Sequence, residues 1–477
     1  MFEMANIREQ DSWVHLSVPQ AATGKAEQLV SMAVAKARRL RAIHRDSFAV
    51  ESRALVIGGG LAGMTAALSI ARQGFEVFLV ERSPELGGNL RRLYTSLPGG
   101  KDPQALLRET IRAVQAEPRI CVFTETALVE LRGYTGQYVS TLQRKDGSTL
   151  EVHHGAVVVA TGAQPHAPAE YFYGVHSHIL TQLELEDRLA HPANHTPQAI
   201  QSEHSFVMLQ CVGSRDVEHP YCSRVCCTQA LKNALAIKAE YPEARVAVFY
   251  RDIRTYGFRE QLYRQARQAG VIFLEYSETD KPAITPDGDR LRVTVAIQPE
   301  NEVIDLVADW LVLSAGIEPE PDNAKLAQVL KVPLNEAGFF LEAHVKLRPV
   351  DFAAEGIFLA GLAHSPRQIE EAIAQAHAAA VRAVGLLSRA RLEATPIIAS
   401  VNPKQCAACG LCVEVCPYGA RRLEPGMSHA EVIDVLCQGC GACVVACPNK
   451  ASQQKGFEFA QLIGMVDEAL ALPHTEY

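Results

Sequence analysis

The thirteen cysteines of this 477-residue chain fall into groups whose spacing already implies chemistry. Cys406, Cys409, Cys412 and Cys416 run C-x-x-C-x-x-C-x-x-x-C-Pro, and the pattern returns in Cys437, Cys440, Cys443 and Cys447, again followed by proline. Three thiolates at that spacing close on one iron–sulfur cubane while the fourth reaches its neighbour. Cys406, Cys409, Cys412 and Cys447 are therefore assigned to one 4Fe–4S cluster, and Cys437, Cys440, Cys443 and Cys416 to a second. Two copies with prolines in register leave little room for zinc. A third set, Cys211, Cys222, Cys226 and Cys227, converges on one loop and the start of a predicted helix. It suits a third 4Fe–4S cluster, because each iron takes one thiolate and a helix N-terminus favours the cluster's negative charge. A structural zinc or a redox dithiol remain open alternatives for that set. Cys121 is left over in an apolar run and is expected to be inert core.

A glycine pattern supplies the second chemistry. Ala54–Ile57 is a short apolar strand, Gly58, Gly60 and Gly63 form G-x-G-x-x-G, and Leu61 and Ala62 open a helix running to about Gln73. A second strand, Glu76–Val80, ends at Glu81 and Arg82. The first glycine permits a tight turn, the second lets backbone approach a pyrophosphate, and the third lets helix pack on strand. The helix N-terminus offers partial positive charge to the phosphates, and Glu81 stands where a carboxylate accepts from ribose hydroxyls. A plain NAD-binding unit would share these features. Gly87-Gly88-Asn89 resembles the glycine pair of two-dinucleotide-domain flavoproteins, which passes close to the FAD pyrophosphate and ribityl. Val157–Gly162, with Thr161 and Gly162 at its turn, resembles a further part of that site. So does Gly356–Gly361, which feeds a helix over Ile369–Ala380. The resemblance points that helix N-terminus at the flavin, where it would stabilise an anionic reduced ring. His364 and Arg367, just before it, either contact the ring and tune its potential or are solvated loop residues.

These groups need elements to hold them. Residues 51–165 and 305–395 are expected to form an FAD-binding domain in two parts, the second ending in a linker helix. Residues 166–304 form a second Rossmann-like domain carrying the four-cysteine loop, and 396–477 the two-cluster ferredoxin module. Residues 1–50 are a helical extension, in which Lys25 to Arg45 reads as a helix with one basic side. It either packs on its own chain or docks onto a partner protein. Asp102-Pro103 starts a helix to about Glu117. Runs at Arg119–Thr124, Ala127–Arg132 and Tyr138–Leu142 read as an antiparallel excursion from the flavin sheet. In the second domain, strands are expected at Phe206–Gln210 and Arg245–Tyr250 with a helix at Thr228–Glu240. Further strands follow at Val271–Glu275, Leu291–Ile297 and Val303–Val312. Its first loop holds four thiols where a glycine cradle would sit, so NAD(P)H binding is not expected there. Asp252–Gly257 either lines a site near the cluster or is plain loop.

Composition excludes several classes. Hydrophobic content of 48%, charged content of 21% and a formal charge of −8 fit a globular protein and argue against general nucleic-acid binding. The uncharged run Ala54–Ala71 is the glycine motif itself, broken by four glycines, so no membrane span is expected. The N-terminus carries charges where a signal peptide needs an apolar stretch, so a cytoplasmic location is expected. No acid–base or nucleophilic constellation stands out among the 16 histidines, and the catalytic residues are left unassigned.

With these motifs in place, the chain is identified as a member of the heterodisulfide reductase A-subunit family, in a short form. The resemblance rests on Ala5–Gln10 with Trp13-Val14-His15, Thr181-Gln182-Leu183-Glu184, the Cys211–Cys227 pattern, Asp252–Gly257 and the terminal module. It implies an α/β thioredoxin-reductase-like two-dinucleotide-binding-domain flavoprotein with a C-terminal α+β double-cluster ferredoxin domain. It implies FAD, several 4Fe–4S clusters and an oxidoreductase of anaerobic metabolism, dimeric within a larger complex. Implied partners are the B and C subunits, ferredoxin, and a hydrogenase, formate dehydrogenase or NADH-oxidising module. In the best-known members the flavin bifurcates an electron pair between ferredoxin and a disulfide. Here the fifty residues before the flavin motif hold no cysteine and no second ferredoxin module interrupts the flavin domain, so a shorter electron route is expected. The alternative is an NAD(P)H-dependent flavoenzyme with a ferredoxin domain, similar to the glutamate synthase small subunit.

Overall fold

The computed structural model describes residues 2–43, 47–95, 102–195, 199–299, 302–393 and 396–471. Two units emerge from it, Glu51–Arg389 and a second made of Met1–Val50 with Ala390–Tyr477.

The larger unit is built on two five-stranded parallel sheets. The first runs Ile357–Leu359, Ala156–Val159, Arg53–Ile57, Glu76–Val80, Ile120–Phe123 in spatial order. Its inner strands are unbroken apolar runs because both faces are covered. On one face lie helices Leu61–Ala71 and Ile369–Leu387, meeting through Ala66, Ala67, Ala376, Ala379 and Ala380. Alanines at these positions let the two helices and the sheet approach closely. The other face carries helix Asn323–Leu330 and the antiparallel sheet Thr126–Tyr134, Gln137–Arg144, Thr149–His154.

The second sheet repeats the plan with strands Ile179–Thr181, Trp310–Ala315, Ser205–Val212, Arg245–Tyr250 and Ile272–Glu275. Helices Gln182–Ala190, Cys226–Glu240 and Glu260–Gln268 cover one face. The antiparallel sheet Ala283–Asp287, Arg290–Ile297, Glu302–Ala308 covers the other. The chain passes between the parallel sheets through two short antiparallel strands, Ala163–Pro165 outward and Ile317–Pro319 on return.

Three expectations are corrected here. Ile120–Phe123 is not part of the antiparallel excursion but the parallel edge strand, with Ile120 opposite Val77. Strand alternation buries Ile120 and turns Cys121 outward, so this cysteine is exposed rather than core. The run Val303–Val312 is two strands, broken at Asp309. There the carboxylate accepts from Ser205 N and Oγ at 2.8 Å each and pairs with Arg290. The second sheet consequently continues to Ala315, past the expected domain limit at residue 304, because hydropathy alone does not show which sheet a strand joins.

In the smaller unit the N-terminal helix spans Pro19–Ala37, starting earlier than expected because Pro19 stands at its first turn. It also ends earlier than expected, at Ala37 and not Arg45, since residues 38–43 leave the helix, while the expected boundary at residue 395 lies outside the described residues. The helix packs on its own chain, against Phe459–Ala471. Gln28 Nε2 donates to the Ala469 carbonyl at 3.2 Å, and Gln461 Nε2 donates to that of Arg39 at 3.3 Å. Lys36, buried in the last turn of the N-terminal helix, pairs with Glu3 at 2.9 Å and lies over the Phe457 ring. The unit also holds three ribbons, Ser47–Ala49 with Arg391–Glu393, Ala399–Val401 with Ser452–Gln454 and Arg421–Arg422 with Glu431–Val432, and the short helices Arg8–Ser12, Leu411–Glu414 and Ala442–Val445.

Candidate functional site

The flavin-type cavity opens where strand Arg53–Ile57 gives way to helix Leu61–Ala71. Gly58 has φ +110°, and a Cβ there would stand 2.2 Å from the Ala160 carbonyl oxygen. A Cβ on Gly63 would stand 1.8 Å from the Gly58 oxygen. Both glycines are required by contact, and both lie behind the cavity wall. Gly60 differs, because a Cβ there would meet nothing within 4 Å, which is what an approaching ligand needs. The cavity has a volume of about 560 Å³ and is lined by Gly60, Leu61, Ala62, Glu81, Arg82, Gly87, Gly88, Asn89, Thr161, Gly162 and Arg367 among others. The Glu81 carboxylate accepts from Gly59 N at 2.6 Å and Ser83 N at 2.8 Å, which holds it at the strand end. Thr161 Oγ1 is buried without a partner among the described residues, a polar atom that a bound dinucleotide would satisfy. Size, glycine wall and orphaned hydroxyl fit FAD.

Two expected residues stand further back. Gly361, at φ +73°, donates from its N to Gln375 Oε1 at 2.8 Å and shapes the turn. His364 Nε2 faces Glu342 Oε2 at 2.8 Å, while Nδ1 faces Arg367 Nη2 at 2.8 Å and Gln375 Nε2 at 2.7 Å. These partners assign Nε2 as donor and Nδ1 as acceptor. Burial lowers the His364 pKa, so the ring is neutral and positions Arg367 instead of lining the cavity itself. Arg367 does line it, with Nε buried and unpartnered among the described residues. Gln368 and Ile369 bring the N-terminus of helix Ile369–Leu387 to the same wall.

Sequence reasoning missed a buried cation. Lys232 lines the cavity at 7% exposure, with Nζ 3.9 Å from Glu186 Oε1. Glu186 is fully buried and also accepts from the backbone N of Tyr94 at 2.7 Å and Thr95 at 2.5 Å. Burial lowers the Lys232 pKa, and Glu186 and Glu370 oppose that shift. A usable signal existed: Val225, Thr228, Gln229 and Lys232 recur at helical spacing, and all four line the cavity.

The four-cysteine set sits where that same helix begins. Cys211 is the penultimate residue of strand Ser205–Val212, Cys222 is in the loop, and Cys226 and Cys227 are the first two residues of helix Cys226–Glu240. Cys226 is pushed well up by its hydrogen bond to Cys227, then by burial and by the charges of Cys227, Cys211 and Cys222. Cys227 is lowered to about 7 by the same bond, and burial with Cys227 nearby raises Cys211 to about 11. Cys226 therefore lies within electrostatic reach of the other three sulfurs. Cys222 Sγ accepts from Arg224 N at 3.3 Å, Arg215 Nη1 lies 3.8 Å from Cys211 Sγ, and the Arg254 side chain reaches Cys222. The Asp252 carbonyl lies 4.0 Å from Cys227 Sγ, which brings the Asp252–Gly257 segment against the thiols. Four thiols with arginines around them fit an anionic cluster.

In the smaller unit, one cavity is lined by Cys406, Cys409, Cys412 and Cys447, and another by Cys416, Cys437, Cys440 and Cys443. Backbone N–H groups point at the sulfurs: Ala420 to Cys416 at 3.2 Å, Ala399 to Cys437 at 3.4 Å, Ala408 to Cys406 and Ser452 to Cys447 at 3.5 Å. Arg421 is buried between them and donates from Nη2 to Cys443 Sγ at 2.9 Å and Ser452 Oγ at 2.8 Å.

A family profile described as pyridine nucleotide-disulphide oxidoreductase matches residues 52–201, and one described as 4Fe-4S dicluster domain matches 398–448. The iron-sulfur A-subunit 2 of CoB–CoM heterodisulfide reductase from Methanopyrus kandleri is 34% identical over 513 residues, 88% of this chain and 77% of that one. The A-subunit of the H(2):CoB-CoM heterodisulfide,ferredoxin reductase from Methanothermobacter thermautotrophicus is 32% identical over 560 residues, 98% and 84% of the two chains. The chain belongs to the heterodisulfide reductase A-subunit family. The A-subunit of the H(2)/formate:CoB-CoM heterodisulfide,ferredoxin reductase from Methanococcus maripaludis is similar to it at 32% identity, over 98% of this chain and 84% of its own. Lactococcus lactis thioredoxin reductase, 18% identical, aligns over 70% of this chain and 99% of its own at a TM-score of 0.49, too loose a likeness to carry an argument. This member of the heterodisulfide reductase A-subunit family is an oxidoreductase for electron transfer, with a flavin redox domain and a 4Fe–4S dicluster domain. No helix among the described residues is long and apolar enough to cross a membrane.

Gly58→Ala combines a backbone angle hostile to a side chain with a clash against Ala160. It is expected to weaken flavin retention at least about tenfold, ~1.4 kcal/mol, measured as bound flavin per folded chain. Lys232→Met removes a buried cation from the flavin wall. It is expected to lower the flavin midpoint potential by about 30 mV or more, the equivalent of ~1.4 kcal/mol for a two-electron couple, measured by spectroelectrochemistry.

Proposed function

We propose that this chain is the flavin- and cluster-bearing component of a heterodisulfide-reductase-like complex, exchanging electrons with ferredoxin and with partner subunits. One observation carries the reading. Helix Cys226–Glu240 supplies two of the four clustered thiols from its first turn and lines the flavin-type cavity with the turns that follow. A two-electron site and a one-electron site are thus held by a single rigid element.

In this reading FAD is held by Gly60, Leu61, Ala62, Glu81, Arg82, Gly87, Gly88, Asn89, Thr161, Gly162 and Arg367, with Gly58, Gly63 and Gly361 shaping the turns behind them and His364 orienting Arg367. Cys211, Cys222, Cys226 and Cys227 hold one 4Fe–4S cluster, and the two cysteine sets of the terminal module hold two more. Bound FAD supplies the exchange between electron pairs and single electrons. The chain's own groups set the electrostatics: Lys232 and Arg367 favour added negative charge on the flavin side, while Arg215 and Arg254 do so at the thiols. The domain division into an extension, a two-part flavin domain, a second Rossmann-like domain and a ferredoxin module belongs to this reading, with the second domain continuing to Ala315. So do B- and C-type partner subunits, a hydrogenase, formate dehydrogenase or NADH-oxidising module, a dimer within the complex, and a cytoplasmic location. The names of the relatives, which include heterodisulfide, ferredoxin, hydrogen and formate, support the partner classes.

The test separates this reading from a self-contained NAD(P)H-dependent flavoenzyme. In the isolated chain, handled without oxygen, NADH and NADPH are expected to leave the flavin absorbance unchanged while reduced ferredoxin bleaches it. Rapid bleaching by either nicotinamide would overturn the assignment.

A further inference from the structure

Outside the redox sites, one cluster of ligating side chains lies at the crossing between the two parallel sheets. His166 follows the outward strand Ala163–Pro165, Glu318 is the middle residue of the return strand Ile317–Pro319, and His219 comes from the loop between Cys211 and Cys222. One nitrogen from each histidine and one Glu318 oxygen all lie within 4.8 Å of one another. His166 Nδ1 stands 2.5 Å from Glu318 Oε1, and His219 Nε2 stands 3.6 Å from the same oxygen. All three side chains are mostly buried, His166 to 15% exposure.

The surroundings are those of a built site. Each imidazole has a carboxylate near its other nitrogen: Glu170 Oε2 is 3.9 Å from His166 Nε2, and Asp216 Oδ1 is 3.8 Å from His219 Nδ1. Neither carboxylate is hydrogen-bonded to its ring at these distances, but each stands close enough to accept the N–H of a ligating imidazole, the arrangement that supports histidine ligands. His166 Nε2 is buried with no hydrogen-bond partner among the described residues. The His166 ring also occupies the space in front of Gly213, where a Cβ would fall 2.2 Å from the ring. Gly213 has φ +62°, so the cysteine loop is shaped to admit the imidazole.

We propose that His166 Nδ1, His219 Nε2 and Glu318 Oε1 bind a divalent transition-metal ion, with zinc the best fit. Two neutral imidazoles and one carboxylate match its preference for nitrogen and oxygen ligands at about 2.0–2.2 Å. Calcium and magnesium are disfavoured, because they take oxygen ligands. On binding, the ion takes the place of the hydrogen between His166 Nδ1 and Glu318 Oε1, the His166 ring stays neutral by carrying its N–H on Nε2, the carboxylate and both imidazoles become ligands, and no electron moves. The ion clips both strands that connect the parallel sheets to the loop carrying Cys211 and Cys222. It thereby stiffens the crossing on which the relation of the flavin-type cavity to that loop depends. This site uses no thiol and is independent of what the cysteines hold.

The test uses the full chain, purified without oxygen with its flavin and iron. One equivalent of zinc chloride is added and the loosely held metal removed by gel filtration. About one zinc per chain is expected to remain, with an X-ray absorption edge showing only nitrogen and oxygen neighbours and imidazole scattering. His219→Ala and Glu318→Gln are each expected to cut retained zinc about tenfold or more, with iron and flavin content unchanged. Glu318→Gln keeps the size of the side chain, so it reports even if His219→Ala folds poorly. Zinc that washes out of the unaltered chain, zinc with sulfur neighbours, or zinc retained in Glu318→Gln would each overturn the proposal.

Discussion

The packing of helix Cys226–Glu240 is the constraint on which the larger unit depends. Ala230, Leu231, Ala234 and Ile237 anchor it in the core beneath the second sheet. With those positions buried, the helix has no freedom to turn, and its opposite side must carry Thr228, Gln229 and Lys232 to the cavity wall. Its first turn must likewise hold Cys226 and Cys227 where Cys211 and Cys222 can meet them. Arg224 extends the linkage. Its backbone N donates to Cys222 Sγ, while its guanidinium donates to Glu371 and to the Pro366 carbonyl at the start of helix Ile369–Leu387. Gln368 returns the contact, donating to the Arg224 carbonyl at 2.9 Å. Cysteine loop and flavin-facing helix are held by one continuous set of hydrogen bonds.

Charge placement fits the occupants proposed for these sites. Reduced flavin and thiolate-bound clusters are anionic, and buried anions need fixed partners. Lys232 and Arg367 face the cavity, Arg215 and Arg254 surround the four thiols, and Arg421 is buried beside Cys443. Backbone N–H groups aimed at Cys406, Cys416, Cys437 and Cys447 add dipoles without adding net charge. Each cation is itself restrained: Lys232 by Glu186, Arg367 by His364, and Arg215 by Asp252.

Much of this is legible in the chain itself, for physical reasons. The strand Glu76–Val80 ends where its apolar run meets Glu81, and Gly58 and Gly63 mark contacts no side chain tolerates. Cysteine spacing carries the terminal module, since the crossed fourth cysteine follows from the local geometry of each run. The losses have a common cause. Ile120–Phe123, Trp310–Ala315 and the exposure of Cys121 depend on which strand pairs with which, and one apolar strand resembles another. Lys232 looks like the solvated face of a helix until the fold puts a cavity beside it. His166, His219 and Glu318 are more than fifty residues apart at each step and meet only because two connecting strands pair. Long-range closure of this kind leaves no periodicity to read.

The central claim is that the Cys211–Cys227 loop, joined to the flavin cavity by one helix, holds an iron–sulfur cluster. Iron, acid-labile sulfide and FAD content of the whole chain, purified without oxygen, tests it most directly. About twelve irons and twelve sulfides per FAD are the expected result, four of each for every set of cysteines. About eight of each per FAD would contradict the account, leaving clusters only in the terminal module and a different chemistry at the four buried thiols.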